Sequence, residues 1–141
     1  MKRLLIVTQR VDSHDQLLGF FIAWIVRFAE RFSQVTVICQ SVGVFQFPKN
    51  VAVIHLGKSE GASKPLQLVR FYKALWRHRS EYDVVLVHMN PIWAALGAPF
   101  FCLIRKRVFL LYTHKSVTLR LKVATFFVDG IFTASKESFR L

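Results

Sequence analysis

Asp83-Val84-Val85-Leu86-Val87-His88-Met89-Asn90-Pro91 decides how the rest of the chain is read. Val84 to Val87 are apolar without alternation, which suits a strand covered on both faces. The run ends on a polar His88, and from Pro91 to about Arg105 the residues read as a helix. A doubly covered strand leading at once into a helix is the repeating unit of a parallel sheet.

Working toward the amino end, the same unit recurs. Leu4-Leu5-Ile6-Val7 is a first buried strand, and Ser13-His14-Asp15-Gln16 behind it has a capping-box pattern. Leu17, Leu18, Phe21, Trp24, Ile25, Phe28 and Phe32 then recur at helical spacing, so this helix turns an apolar stripe to the core and ends near Ser33. Val35 to Cys39 reads as a second strand, and Val51 to His55 as a third after the Pro48-Lys49-Asn50 turn signal. The segment 59–63 is a loop leading to Pro65 in the first turn of a helix that runs through Leu68, Tyr72, Leu75 and Trp76.

Toward the carboxyl end, Val108 to Thr113 is a fifth strand, Val117 to Val128 a helix stopped by Asp129-Gly130, and Gly130 to Thr133 a short last strand. The alternation predicts an α/β, Rossmann-like domain: a parallel sheet of about six strands, the first of them central, with helices on both faces. Ser135 suits an N-cap, yet Lys136 to Leu141 supply under two turns of the helix it would begin, so a truncated sequence is expected.

Composition narrows the classes. With 53% hydrophobic residues and 14 Phe in 141 residues, the chain is too apolar for a disordered tail and long enough for one globular core. Its longest apolar run, Ile92 to Ile104, has 13 residues including Pro99, against about 20 for a bilayer span; it reads as a buried helix. Leu4 to Val7 is shorter than the roughly 7 to 15 residues of a signal-peptide core, so a cytoplasmic location is expected. Cys39 and Cys102 both lie in apolar contexts and read as buried free thiols, not a disulfide. The net charge of +12, from 20 Lys and Arg against 8 acids, favours anionic partners such as phosphorylated substrates or the surface of an anionic membrane. Lys64, Arg70, Lys73, Arg77 and Arg79 on one helix, and Arg105 to Arg107, are the cationic clusters. Most aromatics fall on core-facing positions instead of beside those charges, which argues against nucleic acid.

Ligands of open parallel sheets bind beyond the carboxyl ends of the strands, where strand order reverses. Thr8 to Asp15, then His88, Met89, Asn90 and Pro91, then Thr113, His114, Lys115 and Ser116 follow strands and so converge on that rim. His14 and His55 are isolated, and His78 sits among Arg77 and Arg79 on a solvated helix end, so none of the three receives a role. Neither G-x-G-x-x-G nor a P-loop occurs, and no clustered ligands or H-E-x-x-H suggest a metal. Gly57-Lys58-Ser59-Glu60-Gly61 fits G-x-S-x-G, but Ala62-Ser63-Lys64 separate it from its helix, so a flexible loop is the better reading than a nucleophile elbow.

With these residues in place, the chain resembles the N-terminal domain of retaining GT-B glycosyltransferases of family 4. The resemblance rests on Val11-Asp12 with Leu18-Gly19-Phe20-Phe21, on Asp83 to Pro91, on Tyr112-Thr113-His114-Lys115-Ser116-Val117, and on Ile131 to Ser138. It implies metal-free transfer of a sugar from a nucleotide diphosphate sugar, a co-substrate rather than a cofactor, to a glycan or lipid-linked acceptor hydroxyl. It implies that Gly19 lets backbone approach the donor phosphates and that His114 lies near the reacting sugar as the catalytic candidate. Asp12, Phe20, His88, Asn90 and Lys115 match neighbouring substrate-binding positions. It also implies a partner, a C-terminal domain on this or another chain, without which catalysis is not expected. The alternative is a noncatalytic Rossmann-like module that binds an anionic membrane or another polyanion.

Overall fold

In a computed structural model the residues 2–12, 21–88, 91–111 and 128–132 are described. They form β1 (Arg3–Val11), α1 (Phe21–Arg31), β2 (Gln34–Val42), β3 (Val51–His55), a 3-10 turn (Lys58–Glu60), α2 (Lys64–Arg77), β4 (Val84–His88), α3 (Pro91–Leu103), β5 (Arg107–Leu111) and β6 (Gly130–Phe132). The strands make one six-stranded sheet in the order β3-β2-β1-β4-β5-β6, and every pairing is parallel. β1 is interior, as its doubly apolar run predicts.

Period-two alternation explains why the runs are unbroken. Leu5 and Val7 of β1 and Val85 and Val87 of β4 point to one face and pack with Phe71 and Leu75 of α2 and with Trp93, Ala94 and Phe101 of α3. Leu4, Ile6 and Leu86 point to the other and pack with Phe21, Ile25 and Ala29 of α1. Handedness accounts for this division of the helices. The step from β1 to β2 runs one way across the sheet, whereas β3 to β4 and β4 to β5 run the opposite way. Right-handed crossovers in opposite directions must pass over opposite faces.

Several sequence expectations are corrected. β1 and β2 extend beyond their apolar runs, because Arg10 and Val11 remain in register with Ser41 and Val42. The α1 stripe is only partly covered: Trp24 is 47% exposed. α1 lies over β1 and β2, so Trp24, Phe28 and Phe32 wall an apolar groove of about 500 Å³ whose floor includes Leu86, Phe109 and Leu111. On α2, Gln67, Phe71, Ala74 and Leu75 take the inward positions, which turns Trp76 out to 55% exposure with the Arg79 guanidinium 4.0 Å over its ring. Cys39 is buried, its thiol donating to the Ile54 carbonyl at 3.7 Å and pushed up to about 12 by burial. Cys102 is a free thiol but an exposed one, one position past inward-facing Phe101. The expected helix to Arg105 stops at Leu103, and Arg105 adopts a left-handed φ of 58°. The fifth strand is described as far as Leu111; Tyr112 and Thr113 lie outside the described residues.

At the amino ends of the strands, β1 and β4 are joined by a reciprocal clamp. The Asp83 carboxylate accepts from the Arg3 backbone N–H (2.9 Å) and guanidinium (3.1 and 3.3 Å), while the Asp83 N–H donates to the Arg3 carbonyl at 2.9 Å. The guanidinium, then the backbone donor, hold the Asp83 pKa below the usual carboxylate range. A depressed carboxylate contributes stability above its unfolded pKa of about 3.9 and loses it as pH falls through the lower folded value. Urea midpoints measured from pH 6 to pH 3 should therefore fall more steeply for the native chain than for Asp83→Asn. The difference should be modest, since the side chains are 38% and 35% exposed and solvent screens them.

Candidate functional site

β1 and β4 are neighbours whose following connections leave by opposite faces, so the carboxyl ends of these two strands form the topological switch point. Register sets Val7 beside Val87, and the next residues, Thr8 and His88, meet: Thr8 Oγ1 and His88 Nδ1 are 2.9 Å apart. Both are 1% exposed. The Phe21 ring lies flat on the imidazole, centroids 3.6 Å apart and planes 1° from parallel. Phe21 is the first residue of α1, so β1, β4 and α1 are fastened together by one hydrogen bond and one stacked pair. His88 thus stands beneath the rim, where it sets the height of the elements around it.

Asp12 is the second fixed point. Its carboxylate is buried and accepts from the Arg10 guanidinium at 2.9 Å and from the Val44 N–H at 3.2 Å. Gly43 N–H donates to the Val11 carbonyl at 2.9 Å, drawing this backbone so close that a Cβ on Gly43 would stand 2.2 Å from the Asp12 carboxylate. Only glycine leaves room for that side chain.

On the other face, a cleft of about 580 Å³ opens at the same end of the sheet between α2 and α3. Gln9 of β1 and Gln40 of β2 line it, with Lys58, Lys64, Leu68 and Leu96. Buried Gln67 fixes one of its amides: Gln67 Oε1 accepts from Gln40 Nε2 at 3.1 Å, and Gln67 Nε2 donates to the Ala62 carbonyl at 3.0 Å. Gln9 fell within the Thr8 to Asp15 segment expected at the rim and Lys58 within the 57–61 loop, but Gln40 and Gln67 were not expected at a site, and only three-dimensional proximity unites the four. Thr8 and His88 were both placed at the rim by their positions after apolar runs, but their contact was not foreseen.

Of the expected site residues, Asp12 and His88 are described and lie on the rim's supporting structure. Gly19, Phe20, Asn90, His114 and Lys115 lie outside the described residues. Among the described residues no group of three His, Cys, Asp or Glu side chains could hold a metal, and no helix is long and apolar enough to cross a membrane.

No family model matches this sequence, and no curated protein does. Solved structures do resemble the fold. MurG from Acinetobacter baumannii superposes with a TM-score of 0.65 at 12% identity, over 100% of this chain and 43% of its own. A putative UDP-N-acetylglucosamine 2-epimerase from Listeria monocytogenes gives 0.64 at 11%, over 98% and 40%. HepE from Anabaena, solved in complex with UDP, gives 0.61 at 18%, over 96% and 38%. The chain therefore spans less than half the length of these structures, and its fold is a Rossmann-like half of the GT-B type.

Proposed function

We propose that the chain is the acceptor-side half of a retaining glycosyltransferase that uses a nucleotide diphosphate sugar. The observation that carries this reading is the coincidence of a fixed switch point at β1 and β4 with a fold that fills some two fifths of MurG and of HepE, the latter solved in complex with UDP. In this reading a second Rossmann-like domain closes on the rim and holds the nucleotide. The acceptor hydroxyl attacks the anomeric carbon on the face the diphosphate leaves, the bond from that carbon to the diphosphate oxygen breaks, and the departing diphosphate takes the hydroxyl proton. His114 hydrogen-bonds the transferring sugar and stabilises developing charge. Gly19 gives the donor phosphates close backbone approach, and Phe20, Asn90 and Lys115 contribute cleft contacts. Asp12 and His88 hold the rim from beneath.

A complementation assay tests this. The purified chain alone should release no UDP from a UDP-sugar and acceptor, and a matching nucleotide-binding domain added in trans should restore turnover. Turnover by the chain alone at about 1 to 1000 per second, the ordinary enzymatic range, would overturn the half-enzyme reading.

A membrane-held acceptor is favoured by a specific surface. Leu66, Val69 and Trp76 of α2 and Leu103 of α3 are 41%, 62%, 55% and 77% exposed, and the Trp76 and Phe100 rings meet edge to face at 6.2 Å. Lys73, Arg77 and Arg79 are exposed on α2 or just past its end, and Arg105 and Arg107 are exposed in the turn after α3 and at the start of β5. Apolar and cationic side chains mixed in this way suit an anionic bilayer surface, each near-surface cation contributing on the order of 1 kcal/mol. The same surface would serve a noncatalytic membrane-binding module. Cosedimentation with vesicles rich in anionic lipid should be strong at low salt and fall on the order of tenfold at high salt. Partition that ignores salt would count against it.

A further inference from the structure

We propose that the cleft between α2 and α3 receives the acceptor, and that this acceptor carries an anionic group, a phosphate or a carboxylate, on a polyhydroxylated sugar. The inference deepens the glycosyltransferase reading and rests on it. A cleft of about 580 Å³ falls within the roughly 300 to 1000 Å³ of small-molecule sites. It lies at the carboxyl end of the sheet, on the rim where the second domain would close, and on the face opposite the Thr8, His88 and Phe21 cluster.

Its lining has a consistent chemistry. Lys58 and Lys64 are exposed and neither has a carboxylate partner among the described residues. Two unneutralised ammonium groups flanking one concavity attract an anion and repel a cation. Gln40 gives one N–H to Gln67 and keeps its carbonyl oxygen and second N–H for a ligand, in an orientation that Gln67 fixes through its own bond to Ala62. Gln9 adds a second amide on β1 with no protein partner among the described residues. Amides with both donor and acceptor capacity match vicinal hydroxyls, and fixing one in advance lowers the entropy lost on binding. Leu68 and Leu96 give the cleft an apolar wall for the carbon face of a sugar ring. An inorganic anion would use the lysines and leave the amides and wall idle; a neutral sugar would leave the lysines idle.

The test is titration of the full 141-residue chain, followed by NMR of the Gln40 and Gln9 side-chain amides and the Trp93 indole, assigned with Gln40→Ala, Gln9→Ala and Trp93→Phe. The probes are glucose 1-phosphate, glucuronic acid, glucose and inorganic phosphate. Glucose 1-phosphate or glucuronic acid should bind at least tenfold more tightly than glucose or phosphate, and the tighter of the two identifies the acceptor's anion. Lys58→Gln combined with Lys64→Gln, at exposed positions that leave the amide spectrum otherwise native, should remove that preference. Phosphate binding as tightly as glucose 1-phosphate, equal affinity for glucose, no effect of the double variant, or no binding by any probe would each overturn the proposal. No donor or second domain is needed, so this outcome is separable from complementation: binding without restored turnover would leave the cleft standing and the half-enzyme reading refuted.

Discussion

Replacing His114 with alanine, in the chain joined to a functional nucleotide-binding domain, is expected to lower kcat about 100- to 10,000-fold. Melting temperature should change little. His114 directly follows Val108 to Thr113, the run read from sequence as the fifth strand, and the prediction takes it to stand at that strand's carboxyl end, where a group anchored to a sheet is placed accurately. An imidazole can both donate and accept a hydrogen bond, which suits it to hold a sugar hydroxyl while charge develops at the anomeric carbon. Steady-state kinetics and thermal melts on the same preparation separate the two roles open to it. If turnover survives and stability falls, His114 is a helix cap and leaves the list of functional residues.

The largest stability effect should come from Phe71→Ala. Phe71 is fully buried and meets Trp93 edge to face at 4.6 Å, joining α2 to α3 over the centre of the sheet. Truncating a buried Phe removes its transfer free energy and leaves a cavity, together about 3 to 5 kcal/mol; for a chain of this length that lowers Tm on the order of 10 °C. Trp76→Ala, five residues further along the same helix, should cost less than about 1 kcal/mol, because its indole is mostly in water and only its contacts with Arg79 and Phe100 are lost. Urea unfolding of both variants checks the pair. Comparable losses would mean that the inward face of α2 has been misassigned.

The strands and their sheet were legible because the signal is local. Val84 to Val87 are apolar at every position, and a parallel strand with helices on both sides requires that. The site was legible only as a rim. Strand ends could be read from sequence, which placed Thr8 and His88 at the same edge, but the contact between them spans 80 residues and depends on β1 and β4 being adjacent in register. Gln40 and Gln67 are further from view, since a glutamine on a strand and one in a helix carry no motif until packing brings them to 3.1 Å. Trp24 was placed on a core-facing stripe by spacing alone, yet it is 47% exposed. Periodicity tells which side of a helix is apolar; it does not tell how far the neighbouring elements extend to cover it.

Asp12 and Phe21 bracket the eight residues 13–20, and both brackets are buried and held by elements outside that segment: Asp12 by Val44, Phe21 by His88. The distance between the two ends is thereby set by the sheet and α1, whatever joins them. For a connection with fixed ends, doubling its length costs only about 0.6 kcal/mol of closure entropy, small against the burial that fastens each bracket. The two anchored ends can therefore accept joining segments of different length at little cost to the stability of the domain that carries them.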